Sequence, residues 1–302
     1  MNIIKPITIT SAIFGTALAE DPTTAWVSGT TYAVGNERHV IATHRVYKDA
    51  VGGASTISPE LDTTRWVDMR PTNKWAPFDI YTNTKASTVT SLTYVLTPGY
   101  FNAFALYGLV GTQYNIILKD APGGAVIFSQ SGQLSEAPLN WYEYLFGTPK
   151  PISKLIFSDL PIRPQAELTL TISAATGEPV GVGMIVCGDY VSLVGSGDWG
   201  GTQYGASAEP VTYSYIKTND DGTTTIVKRH SATNLRCTVS MPRDQADAVL
   251  QSLQDVLDVP VAWIATNVPG YLGLTTFGIG SAQMAYDSFG VANLTITVKG
   301  LT

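Results

Sequence analysis

Only one stretch of the chain, Arg243–Leu257, repeats its apolar residues at helical spacing; nearly everything else is short apolar or alternating runs cut by Gly, Pro, Asn and Asp. That excludes a helical bundle. It also excludes a doubly wound parallel sheet, which needs a helix at each crossover. Within the one periodic stretch, Ala246, Val249, Leu250, Leu253, Val256 and Leu257 fall on a single stripe. Pro242 stands at its start, Asp244 and Asp247 suit the positive end of the helix dipole, and Pro260 closes it.

The remaining runs read as strands. Thr88–Leu96 alternates, as do Asn115–Lys119 and Ala125–Ser129, which the turn Asp120–Gly124 joins into a hairpin. Lys154–Phe157 and Glu167–Ser173 continue the series, and with no helices between them these strands predict a sandwich or jelly roll. A second hairpin, Thr212–Lys217 with Thr223–Arg229, precedes the helix, and strands Val261–Ala265, Gly273–Phe277 and Leu294–Lys299 follow it. The expected fold class is therefore mainly β and multidomain: a small aromatic β module, a β-sandwich or jelly-roll-like middle, and an α+β C-terminal unit with one amphipathic helix on an antiparallel sheet. The expected divisions are an N-terminal strand segment (1–22), the aromatic module (23–72), the sandwich (73–195) and the α+β unit (196–302), with Gly195–Gly201 as the clearest linker. The alternation Ile3, Lys5, Ile7, Ile9 predicts a terminal strand; its pattern leaves open a partner within this chain or in a neighbouring one, and a terminal position invites the latter. Pro6, Thr8, Thr10 and Ser11 break up what would otherwise pass for the apolar core of a secretory leader, so no leader is expected.

Charge narrows the function classes. A net charge of −6 with 18 basic residues gives no positive field for phosphate, so nucleic acid is not an expected partner. No apolar run reaches the length of a membrane span, so no membrane insertion is expected. Only 14% of residues are charged, against about a quarter in a typical domain, which suits a chain that covers much of its surface on assembly.

Catalytic signatures do not stand out. Cys187 and Cys237 are 50 positions apart and read as buried thiols rather than a disulfide framework or zinc ligands. His39 and His44 would face opposite sides of one continuous strand, and they read with His230 as exposed or hydrogen-bonded residues near turns. Asn219–Gly222 has the start of a calcium loop but lacks its closing Glu, and reads as a hairpin turn. Gly181-Val-Gly183 and Gly278-Ile-Gly280 lack the third glycine of a dinucleotide site. Glu136, Glu143, Asp159 and Glu167 stand as isolated acids, with nothing to mark a glycosidase pair. No cofactor, metal or catalytic residue is expected.

The informative stretch is Trp26–Trp66, where Trp26, Gly29, Tyr32, Gly35, Val40, Tyr47 and Trp66 succeed one another. Their order and spacing resemble the small chitin- and cellulose-binding modules of bacterial glycosidases, with Gly35-Asn36 in place of that family's Gly-Asp. The resemblance implies short strands carrying aromatic rings, some of which stack on sugars. A module of about 50 residues without disulfides also needs large aromatics simply to build a core. The chain then runs with almost no linker into Pro71-Thr-Asn-Lys-Trp75-Ala-Pro-Phe-Asp79.

That pairing, with the opening Ile3–Thr10 and a C-terminal course through Thr223–Arg229, Pro260–Ile264 and Leu294–Leu301, resembles a family of tailed-bacteriophage virion proteins. The resemblance implies a non-enzymatic tail structural protein at the baseplate, tail tip or fibre attachment. It would be assembled in the bacterial host cytoplasm, with other tail proteins and copies of itself as partners and a host-surface glycan as a further contact. Trp26, Tyr32, Tyr47, Trp66 and Trp75 are the candidate carbohydrate-binding or docking residues. The competing expectation is a carbohydrate-active enzyme or lectin that uses residues 26–66 to hold polysaccharide.

Overall fold

The computed structural model describes residues 1–194, 199–268 and 270–301, and it is mainly β. One antiparallel sheet dominates. Strands Lys154–Phe157, Ala103–Tyr107, Met184–Ser192, Asn2–Pro6, Val261–Ile264, Thr275–Ala285, Val291–Gly300 and Ser231–Pro242 lie side by side in that order. The outer edge of Ser231–Pro242 carries two short strands, Gly201–Thr202 and Ser207–Thr212. The sheet curls until its first and sixth strands meet. Lys154 Nζ donates to the Thr275 carbonyl at 3.1 Å, and the rings of Tyr107 and Phe277 come within 6.4 Å.

The N-terminal strand takes the first of the two alternatives its pattern leaves open. Asn2–Pro6 does not offer an edge to a neighbour but sits mid-sheet, with Ile3 opposite Val191 on one side and Trp263 on the other. Its own chain pairs it along Asn2–Pro6 on one edge and Asn2–Ile4 on the other, so over those residues it presents no open edge. Ile3 enters the core beneath the helix and Ile4 the opposite face of the sheet, as the two-residue period requires. The strand joins segments on either side of the expected 195/196 division, and the sheet runs through that division without a break. Of the expected linker, residues 195–198 lie outside the described residues.

Helix Arg243–Gln254 seats Ala246, Val249 and Leu253 against Leu235, Val239, Leu294 and Ile296. It stops three residues short of the expected end; a turn then brings in Val256, which is buried, and Leu257. Over the other half of the sheet lies a second one, in the order Val126–Gln133, Gln113–Lys119, Glu167–Ser173, Ser91–Leu96 and Phe14–Thr16. Between these two sheets Phe104, Leu106 and Ile185 meet Leu92, Tyr94, Ile116, Leu168 and Ile172 in the largest apolar core.

Thr88–Leu96 is not one strand. Thr90 takes φ 68°, and the chain splits there into Ala86–Val89, paired with Pro179–Val182, and Ser91–Leu96, paired with Glu167–Ser173. A second, unexpected helix, Trp141–Phe146, stands on an excursion whose base is pinned where the Ile152 N–H donates to the Leu134 carbonyl and the Glu136 N–H to the Lys150 carbonyl, both at 2.9 Å. Among the described residues, Tyr215–Thr218 and Thr224–Val227 pair only with each other, on either side of the Asn219–Gly222 turn.

Candidate functional site

The aromatic module is built from two small sheets, Thr30–Tyr32 with Gly53–Ser55, and Glu37–Val40 with Arg45–Asp49 and Trp66–Pro71. Large side chains fill the space between them: Tyr32, Val40, Tyr47 and Trp66 are buried and Trp26 packs against them half-buried. The rings of Tyr32 and Trp66 meet edge to face at 5.5 Å, an arrangement aromatic quadrupoles favour. Each polar handle is tied off inside. Trp26 and Trp66 both donate from Nε1 to Ser55 Oγ, at 3.2 and 3.3 Å, and the Tyr32 hydroxyl donates to the Val27 carbonyl at 2.9 Å while accepting from its N–H at 2.8 Å.

The five expected residues therefore divide. Tyr32, Tyr47 and Trp66 form the module's core, which leaves them no free ring face for a sugar. Trp26 lies at its margin. Trp75 belongs to a different cluster, where the module meets the rest of the chain, stacked on the module's His44 at 4.2 Å and edge to face with Phe14 at 4.9 Å and Phe78 at 5.9 Å. The large apolar side chains that the module does expose are aliphatic: Val27, Val34, Ile41, Val51, Ile57, Leu61, Val67 and Met69.

Two charged clasps hold the module. Asp49, its side chain wholly buried, takes a fork from Arg65, with Arg65 Nη2 at 2.7 Å, and accepts the N–H groups of Val51 and Gly52 at 3.0 and 2.8 Å. The Arg65 fork holds this carboxyl below the usual carboxylate range in spite of its burial. Arg65 also donates to the Gly53 and Ala54 carbonyls, so one guanidinium ties the turn after Asp49 to the strand before Trp66.

The second clasp closes the module onto the rest of the chain. Asp21, on the entering segment, meets Arg70 on the leaving strand at 2.6 and 3.1 Å, and accepts from the N–H of Thr23 and Asn73 and from the Thr23 hydroxyl. Burial alone would raise this carboxyl, but those donors bring it down to about 2. Beside it Glu20 Oε1 meets His44 Nδ1 at 2.7 Å and the Thr72 hydroxyl at 2.9 Å. His44 reaches it from a turn with φ 54°, whereas His39 lies in strand Glu37–Val40 with Nδ1 2.9 Å from the Thr23 carbonyl. The two histidines thus occupy different elements rather than one continuous strand.

Sequence reasoning missed Glu20, Asp21, Arg70 and Thr72. The available signal was an acid pair just upstream of the module and a base just before its exit, the placement a closing clasp needs.

Elsewhere, both cysteines are free and buried, and burial pushes the Cys187 thiol up to about 12 and that of Cys237 to about 11. Glu143 lies in the short helix and Glu167 is paired with Lys119 at 2.6 Å. Among the described residues no three His, Cys, Asp or Glu side chains converge as metal ligands, and no helix is long and apolar enough to cross a membrane. No family model matches this chain, and comparison with curated proteins and with solved structures yields no match.

Proposed function

We propose that this chain is a non-enzymatic structural subunit of a bacteriophage tail, at the baseplate, tail tip or fibre attachment, and that the aromatic module is a rigid docking piece. The observation that carries the reading is where the chain leaves its large apolar side chains. The cores are closed and the module is clasped at both ends. Yet the hairpin Tyr215–Val227 exposes Ile216 and Ile226 directly opposite each other, and the helix Trp141–Phe146 buries none of its residues. Apolar surface displayed on projecting segments suits a part that is covered on assembly. The sequence resemblance to tail virion proteins points the same way.

Docking fits the module better than sugar binding. Stacking on a pyranose takes an open aromatic face, and Tyr32, Tyr47 and Trp66 are buried. The module's exposed apolar side chains are branched aliphatics and Met69, which suit protein contact.

The test is the protein inventory of gradient-purified particles after a high-salt wash. The reading expects this chain in fixed stoichiometry with the tail proteins. Recovery only in the soluble fraction, with retention on chitin or cellulose that Trp26→Ala abolishes, would replace the reading with the lectin or carbohydrate-active enzyme.

A further inference from the structure

We propose that the face made by Leu139, Trp141, Tyr142, Tyr144, Leu145 and Phe146 is the contact through which a second copy of this chain binds; this rests on the assembly reading above. Every one of these side chains is at least 64% exposed, and Leu139 reaches 83%. At about 200 Å² for a large aromatic side chain, the four rings alone offer about 600 Å². The two leucines bring the apolar surface exposed around the helix near the roughly 800 Å² that each partner contributes to a stable interface.

The first turn of the helix is capped and its rings pack in pairs. Asn140 Oδ1 accepts from the Glu143 N–H at 2.8 Å and Glu143 Oε2 accepts from the Leu139 N–H at 2.9 Å, a reciprocal cap that fixes the first turn. Trp141 and Tyr144 meet edge to face at 5.8 Å, and Tyr142 lies 5.3 Å from Phe146. Ordered rings lose less entropy on association.

Three features favour another copy over a different partner. The only charge in the helix is Glu143, whose Oε2 is engaged in the cap, so the projecting rings carry no charge of their own into such a contact. A lipid surface is a poorer match, because interfacial helices carry Lys or Arg on a polar face and this helix has none. The excursion also supplies both halves of a fit: rings that project, and a groove of about 420 Å³ in which Leu139, Tyr144 and Pro149 stand with the charged Glu136, Glu143 and Lys150. A two-fold axis through the face would set the rings of each copy against the groove of the other.

The experiment is sedimentation equilibrium on the full chain, wild type against Trp141→Ser/Tyr142→Ser/Phe146→Ser. Since no residue of this helix is buried, the variant should keep the wild-type far-ultraviolet circular dichroism. The wild type is expected to self-associate and the triple variant to do so at least 100-fold more weakly, a loss of the order seen when aromatic anchors are removed. Tyr142→Arg, a single charge on the same face, should weaken association in the same direction. A wild type monomeric up to about 100 μM, an affinity below that of useful interfaces, would overturn the proposal. So would undiminished association of the triple variant, or wild-type monomers that float with phosphatidylcholine vesicles through these rings. An oligomer untouched by the triple variant, in a chain still found in particles, refutes this face and leaves the tail reading standing. The reverse pattern refutes the tail reading alone.

Discussion

Replacing Asp21 by Asn tests the clasp that joins the module to the rest of the chain. Asp21 is wholly buried, and the donors from Arg70, Thr23 and Asn73 lower it from 3.8 to about 2. At about 1.36 kcal/mol per decade, that displacement corresponds to about 2 kcal/mol. The folded pKa lies below the unfolded one, so the contribution is complete above the unfolded value of 3.8 and drains away as pH falls towards about 2. Asn keeps one acceptor oxygen but loses the charge, and Arg70, 40% exposed, retains its water. The amides that report the loss are those of Thr23 and Asn73, which donate to the carboxylate. Hydrogen exchange at neutral pH should therefore speed up about 30-fold in the segments around residues 21–24 and 70–75, a factor matching 2 kcal/mol. Between pH 4 and 2 the wild type should lose this protection and the variant should have none of that component left to lose. Equal exchange in both proteins, or an unchanged acid transition in Asp21→Asn, would refute the electrostatic account of the clasp.

Other substitutions probe the remaining links. Trp66→Ala removes a side chain that is 2% exposed in a four-residue core, and should cost about 3–5 kcal/mol, read as rapid proteolysis within residues 23–72 while the larger sheets persist. Gly188→Ala should detach the N-terminal strand, because a β-carbon there would lie 1.7 Å from the Lys5 carbonyl oxygen; a melting temperature equal to wild type would contradict that packing. Cys187 and Cys237 should ignore a thiol reagent at pH 7 in the native chain and both react once it is unfolded, since their thiolates form only near pH 12 and 11. Fast labelling of either native thiol would show that the cores are looser than described.

The parts of the fold legible in the sequence are those whose pattern is local. The stripe Ala246, Val249, Leu253 announces a helix packed on one side, and the alternation in Glu167–Ser173 announces a strand with one buried face. Ala103–Tyr107 and the first five residues of Met184–Ser192 are buried on both faces, so they carry no alternation and went unread. Trp141–Phe146 is too short and too uniformly aromatic to show a helical stripe. The position of Asn2–Pro6 between Met184–Ser192 and Val261–Ile264 depends on partners far away in sequence, and no local pattern encodes it. The module is similar. Its aromatics are conspicuous as letters, but whether a ring faces solvent or core depends on the register of the strands, and that turned Tyr32, Tyr47 and Trp66 inward.

The most direct test of the central claim is immunogold electron microscopy of purified particles, with an antibody raised against this chain. The account predicts gold at the tail end or at the points where fibres attach. Particles free of gold, with the chain confined to the soluble fraction, would contradict it.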